Sequence, residues 1–291
     1  MRHSQFVKYF MLAPAVLVLA ATTLYPTIYA FWLSFQQWKL SRSPTPGPFI
    51  GLDNYIRAVT DSHFWNSVIV TFEFTIVSVA MSVLIGLAIA LLLHRSGRSS
   101  MFMKTLLIFP FAISPALKGF CWRFMLNPYF GILDKIIDTI FPPLADFVWL
   151  GNPASALFWL AVTEVWGWAP FIGLVFIGAL EAISEEVFQA AKVDGASTLQ
   201  IFRYITLPML KPILIMVTLL KTIFSIKVFD QVVTLTGGGP GDSTETINFY
   251  IYKTGFKFFD MGYASAIAYF VVILLFMFAF IYIKLLMKEE S

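Results

Sequence analysis

Residues 74–93 read FTIVSVAMSVLIGLAIALLL, twenty consecutive positions without a charge. A helix that crosses a bilayer needs about 20 mostly apolar residues, so this stretch places the chain in a membrane. Residues 264–283, ASAIAYFVVILLFMFAFIYI, repeat the pattern near the other end. The 291 residues around them are 58% hydrophobic, 17% aromatic and only 13% charged. A soluble domain carries about 25% charged residues, so an ordinary soluble enzyme and a disordered chain are both excluded. A formal net charge of +3 is too small to imply a nucleic-acid partner. One cysteine, Cys121, rules out an internal disulfide framework and a cysteine zinc cluster. His3, His63 and His94 are too scattered to suggest a metal site.

Six spans are expected, over 10–34, 68–93, 104–126, 156–180, 209–235 and 263–284, giving an all-α polytopic membrane protein with both termini on one side. With the termini in the cytoplasm, Arg2, Lys8, Arg95, Arg98, Lys104, Lys192, Arg203, Lys211, Lys284 and Lys288 lie inside. Lys39, Arg42, Arg57, Lys135, Lys253 and Lys257 then lie outside, and ten against six is the direction of the positive-inside rule. Trp32, Trp38, Trp65, Trp122 and Trp149 would form an outer aromatic belt. The basic start at Arg2 and Lys8 could belong to a secretory signal, but apolar residues continue through Pro26 to Leu33, which favours a retained helix. The loops at 35–66, 127–155 and 236–262 are too short to be separate domains.

The largest inward segment, 181–208, reads as two short helices joined by a turn. Ser184 is placed to cap the first, and Glu185 and Glu186 suit its positive end. Gly195 suits the left-handed residue that ends a helix, and Ser197 with Gln200 forms a second capping signal. Pro208 marks entry into the next span. The hairpin is either a plain link between spans or a docking element, because Ala190 and Ala191 beside Gly195 allow another protein to approach the backbone.

Glu73, Lys118, Arg123, Glu164, Lys221, Lys227 and Asp230 fall inside spans. A charge at the bilayer centre costs about 2.5–3.5 kcal/mol, so these groups are expected to face a cavity or one another. Lys227 and Asp230, three residues apart, are expected to pair on one helical face. Arg123 and Glu73 sit near span ends. The remainder, with Ser114, Trp166, Trp168 and Ser225, are candidates to line a pathway through the spans, offering hydrogen-bonding groups and aromatic faces. The same charges can instead hold helices together. Pro110 and Pro115 predict a broken third span of the kind found at transport sites.

Two motifs are decoys. TGGGPGDST at 236–244 lacks the Gly-Lys-Ser/Thr ending of a phosphate-binding loop, so no ATPase site is evident. Its Gly239-x-Gly241-Asp242 matches the short pattern of intramembrane aspartyl proteases, but in a polar loop with Pro240 rather than inside a helix.

QAAKVDGA at 189–196, followed by Ile205, Leu207, Pro208 and Pro212, resembles the EAA loop of binding-protein-dependent ABC importer permeases. Gln189 stands where that family usually has glutamate; it keeps a hydrogen-bond acceptor and loses the ion pair. Gly51-Leu52-Asp53-Asn54-Tyr55, Asn127-Pro128-Tyr129-Phe130-Gly131, Trp166-Gly167-Trp168-Ala169-Pro170-Phe171, Leu235-Thr236-Gly237-Gly238-Gly239-Pro240, Thr244-Glu245-Thr246 and Tyr250-Ile251-Tyr252 are similar to the carbohydrate-importing, maltose-type branch. The TGGGP segment resembles the first permease of the pair.

The resemblance implies an ABC importer type I permease fold in a bacterial or archaeal cytoplasmic membrane. It implies a first span and outer loop over 1–66, a permease core over 67–284 and a tail over 285–291. Docking to an ATPase would use Glu186, Phe188, Gln189, Ala190, Ala191, Asp194, Gly195, Ala196, Leu207 and Pro208. Gly237, Gly238, Gly239 and Pro240 would face a receptor. The implied partners are a second permease, two ABC ATPase subunits carrying ATP and magnesium, and an external solute-binding protein, with no cofactor in this chain. The expected cargo is an oligosaccharide, a disaccharide or a glycerol-phosphate-like solute. An ion-gradient-driven secondary carrier, using the intramembrane charges as a proton relay, is the alternative; it leaves the capped inward loop unexplained.

Overall fold

The computed structural model describes residues 2–94, 99–144 and 147–287. Arg95, Arg98, Lys288 and most of the expected 285–291 tail lie outside the described residues. Regular structure among the described residues is helical, and the extended pairings are two isolated bridges, Gln36 with Phe49 and Lys39 with Asp260.

The helices are α1 (Arg2–Leu19), α2 (Tyr25–Ser34), α3 (Asp53–Thr60), α4 (Ser62–Leu93), α5 (Ser99–Ala112), α6 (Pro115–Met125), α7 (Ile132–Ile140), α8 (Pro153–Glu181), α9 (Glu185–Val193), α10 (Thr198–Ile201), α11 (Leu207–Ile226), α12 (Ile247–Tyr252) and α13 (Met261–Met287). Five stretches are long and apolar enough to cross a membrane: Met11–Ser34, Ser62–Leu93, Pro153–Glu181, Thr198–Ile226 and Met261–Tyr282. A sixth arises if Phe102–Ala112 and Pro115–Met125, bent by 94°, count as one span. The break falls at Ser114, whose hydroxyl accepts from the Leu117 amide at 3.4 Å to start α6. This is the interruption that Pro110 and Pro115 predict.

Three boundaries differ from the sequence expectation. Helix α4 begins at Ser62, so Glu73 lies three turns inside it, exposed, rather than near its end. The fifth span stops at Ile226 instead of 235, with Lys227 as its C-terminal cap. The second helix of the 181–208 hairpin does not end before Pro208. It runs from Thr198 through a π-helical turn, Phe202–Thr206, into α11.

A matching π turn, Ala20–Leu24, joins α1 to α2 just before Pro26. In both places the residue before the proline bonds five residues back, Tyr25 to Ala20 and Leu207 to Phe202. A proline ring collides with the carbonyl four residues earlier, and widening the turn lets the helix continue past it.

The chain divides into two compact units, Met1–Phe64 with Tyr250–Leu274, and Trp65–Phe249 with Leu275–Ser291. In the first, the Asn54 side-chain amide donates to the carbonyls of Ser34 (2.9 Å) and Gln36 (3.0 Å), and Tyr55 Oη lies 2.7 Å from Ser34 Oγ. The GLDNY stretch thus supplies partners for the bare carbonyls where α2 ends.

Asp61 caps α4 through the His63 amide (2.9 Å) and accepts the hydroxyls of Tyr250 (2.6 Å) and Tyr263 (2.8 Å). Burial pushes its pKa up, but those two hydroxyls and the His63 amide outweigh it and leave the carboxyl below its usual range. Burial and the bond to Asp61 push Tyr250 up to about 12. A carboxyl depressed in the folded state stabilises the fold above its unfolded value of about 3.9, and this is lost as pH falls through the folded value. Tyr250→Phe removes one donor, so its melting-temperature deficit against the parent is expected to be larger at pH 7 than at pH 3. A deficit independent of pH in a thermal melt series would refute the assignment.

In the second unit α4, α8 and α11 bury Ala90, Leu93, Ile172, Phe176, Ile177, Leu180, Leu210 and Val217 as one cluster. Two of the expected belt tryptophans are also inside this unit. Trp122 packs on Trp159 and Trp166, and buried Trp149 donates to Asp134 at 2.8 Å. Trp32 and Trp65 are exposed, as a belt requires.

Candidate translocation site and docking hairpin

Lys221 lies one turn before the end of α11 with 0% of its side chain exposed. Its ammonium donates to Glu164 Oε1 of α8 at 2.7 Å and to Ser225 Oγ at 3.0 Å, and sits 5.0 Å from the Trp168 ring centre. Ser225 Oγ is 3.0 Å from Ser78 Oγ of α4, so three helices share one polar chain. A desolvated charge pair survives only where hydrogen bonds satisfy what the ion pair leaves over, and the serines do that.

Lys118, also buried, comes from α6 just beyond the bend. Its Nζ occupies a hollow over Gly167, where a Cβ would stand 2.5 Å from it. Gly167 is one turn along α8 from Glu164, so both lysines approach the same helix face. Trp168 meets Phe111 and Phe171 edge to face and lies tilted against Phe224 beside them.

Of the sequence candidates, Lys118, Glu164, Trp168, Lys221 and Ser225 therefore come together. Trp166 is exposed and turned toward Trp122, two residues and half a turn from Glu164. Ser114 serves as the cap of α6. The expected Lys227–Asp230 pair does not form. Helix α11 ends at Ile226, just before both, the two side chains are exposed, and the Asp230 carbonyl instead accepts from Thr234. Ser78 and Gly167 were missed as participants, since a serine or glycine in an apolar run carries no signal of its own.

The 181–208 hairpin has the predicted punctuation. Gly195 takes φ +79°, and the Ala196 and Gly195 amides bond back to the Ala191 and Lys192 carbonyls at 2.9 and 3.1 Å. This is the paired bond pattern of a glycine-terminated helix. Ser197 and Gln200 form the reciprocal capping box. Ser184 stands at the cap position of α9, but its hydroxyl makes no capping bond. Val187, Val193, Leu199 and Tyr204 are exposed, as are Glu186, Gln189, Ala190, Asp194 and Pro208, while Ala191 is buried and Phe188, Ala196 and Leu207 are half-buried. Lys104 of α5 holds the root of the hairpin through Glu181 at 2.6 Å.

The glycine-rich segment is stiff rather than a loose turn. Thr244 Oγ1 donates to Gly239 O (2.8 Å) and lies 2.7 Å from Thr236 Oγ1, and Asn66 donates to the Asp242 carbonyl (3.1 Å). Gly237, Gly238 and Gly241 have positive φ, and Pro240 follows a cis peptide. At Gly238, φ is +89° and a Cβ would stand 2.6 Å from the Phe249 ring. Gly238→Ala is expected to cost about 1–3 kcal/mol and to lower the melting temperature. An unchanged melt would show that the ring yields freely.

Residues 82–288 match the family described as binding-protein-dependent transport system inner membrane component. The chain belongs to that family. It is thus a multi-pass component of an inner membrane, and no catalytic role is indicated for it. The trehalose/maltose transport system permease protein MalF of Thermococcus litoralis is 34% identical over 279 residues, 95% of this chain and 92% of the relative. The trehalose transport system permease protein SugA of Mycobacterium tuberculosis is 32% identical over 277 residues, 95% of this chain and 87% of the relative. A chain from the crystal structure of a bacterial ABC transporter that imports the acidic polysaccharide alginate superposes with a TM-score of 0.85 at 20% identity, covering 98% of this chain and 96% of that one. It supports the all-helical importer permease fold of this family member.

Proposed function

We propose that this permease carries a sugar of disaccharide or oligosaccharide size across the inner membrane, driven by ATP hydrolysis on partner subunits. The observation that carries the reading is the end-to-end relation to a permease named for trehalose and maltose. The Glu164–Lys221–Ser225–Ser78 chain beside Trp168 supports it, offering both hydrogen-bonding groups and an aromatic face.

The exposed apolar face of the 185–201 hairpin is the surface on which an ABC ATPase docks, with the termini cytoplasmic. The rigid Gly237–Pro240 segment then meets a solute-binding protein on the opposite side, and a second permease completes the pathway. Transport is a shift between inward- and outward-open populations, biased by nucleotide and by the loaded receptor.

The test is uptake of labelled trehalose or maltose into proteoliposomes holding this chain, its second permease, the ATPase pair and the binding protein. ATP-dependent accumulation is expected. Uptake by the chain alone under a proton gradient without ATP would overturn the reading.

A further inference from the structure

Among the described residues, the buried charges of α4, α6, α8 and α11 are Lys118, Glu164 and Lys221. Two ammoniums therefore share one carboxylate. Lys221 is engaged: Glu164 and Ser225 accept from it, and the Trp168 ring lies beside it. Lys118 is not. It interacts with Glu164 and Lys221 only through space, and among the described residues no hydrogen bond or salt bridge reaches its ammonium. All three of its N–H donors are thus unused. Its residual exposure, 3%, includes the ammonium, which is not sealed as Trp122 Nε1 one turn along α6 is.

The neighbouring carboxylates do not complete the set. Glu73 is exposed on α4, and it lies about 140° round that helix from Ser78 at 100° per residue. Asp134 accepts from Trp149, and Glu245 belongs to the segment ahead of α12. A cation held within the spans without a counterion is costly, and one retained there marks a place where a charged group binds. The excess is a single positive charge. One carboxylate balances it, whereas a phosphate monoester, about −2 at pH 7, overshoots. Trp168, one turn along α8 from Glu164, offers a ring face, and Ser78 and Ser225 offer hydroxyls.

We infer that Lys118 gives the pathway a preference for an acidic sugar, its free ammonium pairing with one carboxylate of the cargo. This rests on the sugar-transport reading above and narrows its substrate class. A neutral sugar still passes, but leaves the ammonium unmatched.

The permease pair with its ATPase subunits is placed in nanodiscs without the binding protein, so that the receptor's own selectivity is removed. Trehalose, the monoacid made by oxidising one of its hydroxymethyl groups to a carboxylate, and trehalose 6-phosphate are titrated calorimetrically. The monoacid is expected to bind about tenfold more tightly than trehalose, the worth of one charge-assisted hydrogen bond. Lys118→Gln should bring that ratio close to one, and Lys118→Arg should preserve it. Removing an unmatched buried charge relieves desolvation, so Lys118→Gln is expected to fold. Gly167→Ala is the second variant: its Cβ would stand 2.5 Å from Lys118 Nζ, displacing the ammonium without removing it, and the ratio should shrink. Tighter, Lys118-dependent binding of trehalose 6-phosphate would overturn the single-carboxylate count. A ratio near one in the parent, a ratio unchanged in Lys118→Gln, or binding of neither sugar would overturn the preference altogether. ATP-driven trehalose uptake by the complete transporter then decides separately whether the transport reading stands.

Discussion

Replacing Glu164 with alanine is expected to stop uptake and to destabilise the chain by about 3–5 kcal/mol, because it strands a buried lysine. Lys221 would keep only Ser225 as a hydrogen-bonding partner at a position with no solvent exposure. Glu164→Gln retains an acceptor and loses the charge, so its stability cost should be smaller. The informative variant removes both partners: Glu164→Leu with Lys221→Met takes away the charges and should recover most of the lost stability. Uptake should stay lost, since the polar chain from Glu164 to Ser78 is then gone. Thermal unfolding and uptake rates in the reconstituted transporter separate the two effects. A stable double variant with normal uptake would make the pair a structural brace and remove it from the pathway.

Gly195→Val is the second large expected effect. A Cβ at Gly195 would meet nothing within 4 Å, so the penalty is torsional alone. At φ +79° a β-branched residue is a backbone outlier, at a cost of about 1–2 kcal/mol or more. The hairpin has few contacts with which to resist, so the cost is relieved by unwinding the turn between α9 and α10. ATPase subunits should then fail to co-purify, while the folded spans remain in the membrane. Gly195→Asn is the control, because asparagine tolerates the left-handed region and should retain most of the association. Normal ATPase association in Gly195→Val would remove the hairpin from the coupling interface.

Much of this architecture is legible in the residues because its signals are local. Uncharged runs at 74–93 and 264–283 mark spans, Pro110 and Pro115 mark the bend, and Gly195 with Ser197 and Gln200 punctuates the hairpin. The errors concern rotation and register between helices. Lys227 and Asp230 have the spacing of a pair, but α11 stops at Ile226 without a proline or glycine to announce it. Lys221 finds Glu164 across 57 residues of chain, a match that depends on how two helices turn toward each other. Ser78 is one serine among apolar neighbours until it meets Ser225. Trp122 and Trp149 have the composition of an interface belt and the packing of a core. The pocket lined by Lys39, Arg57, Tyr250, Asp260 and Tyr263 gathers residues from both ends of the sequence, so no single window displays it.

The unbroken run from Thr198 to Ile226 has a mechanical consequence. Its first turn belongs to the hairpin, and Lys221 lies near its far end, about 35 Å away at 1.5 Å per residue. A rod of that length magnifies angle into distance: tilting it by about 5° about the hairpin end carries Lys221 sideways by about 3 Å. That exceeds the 2.7 Å span of the Lys221–Glu164 contact, so a few degrees at the hairpin suffice to part the charges. The π turn at Phe202–Thr206 and Pro212 inside α11 are the irregular joints along the rod, and their stiffness sets how much of the tilt arrives.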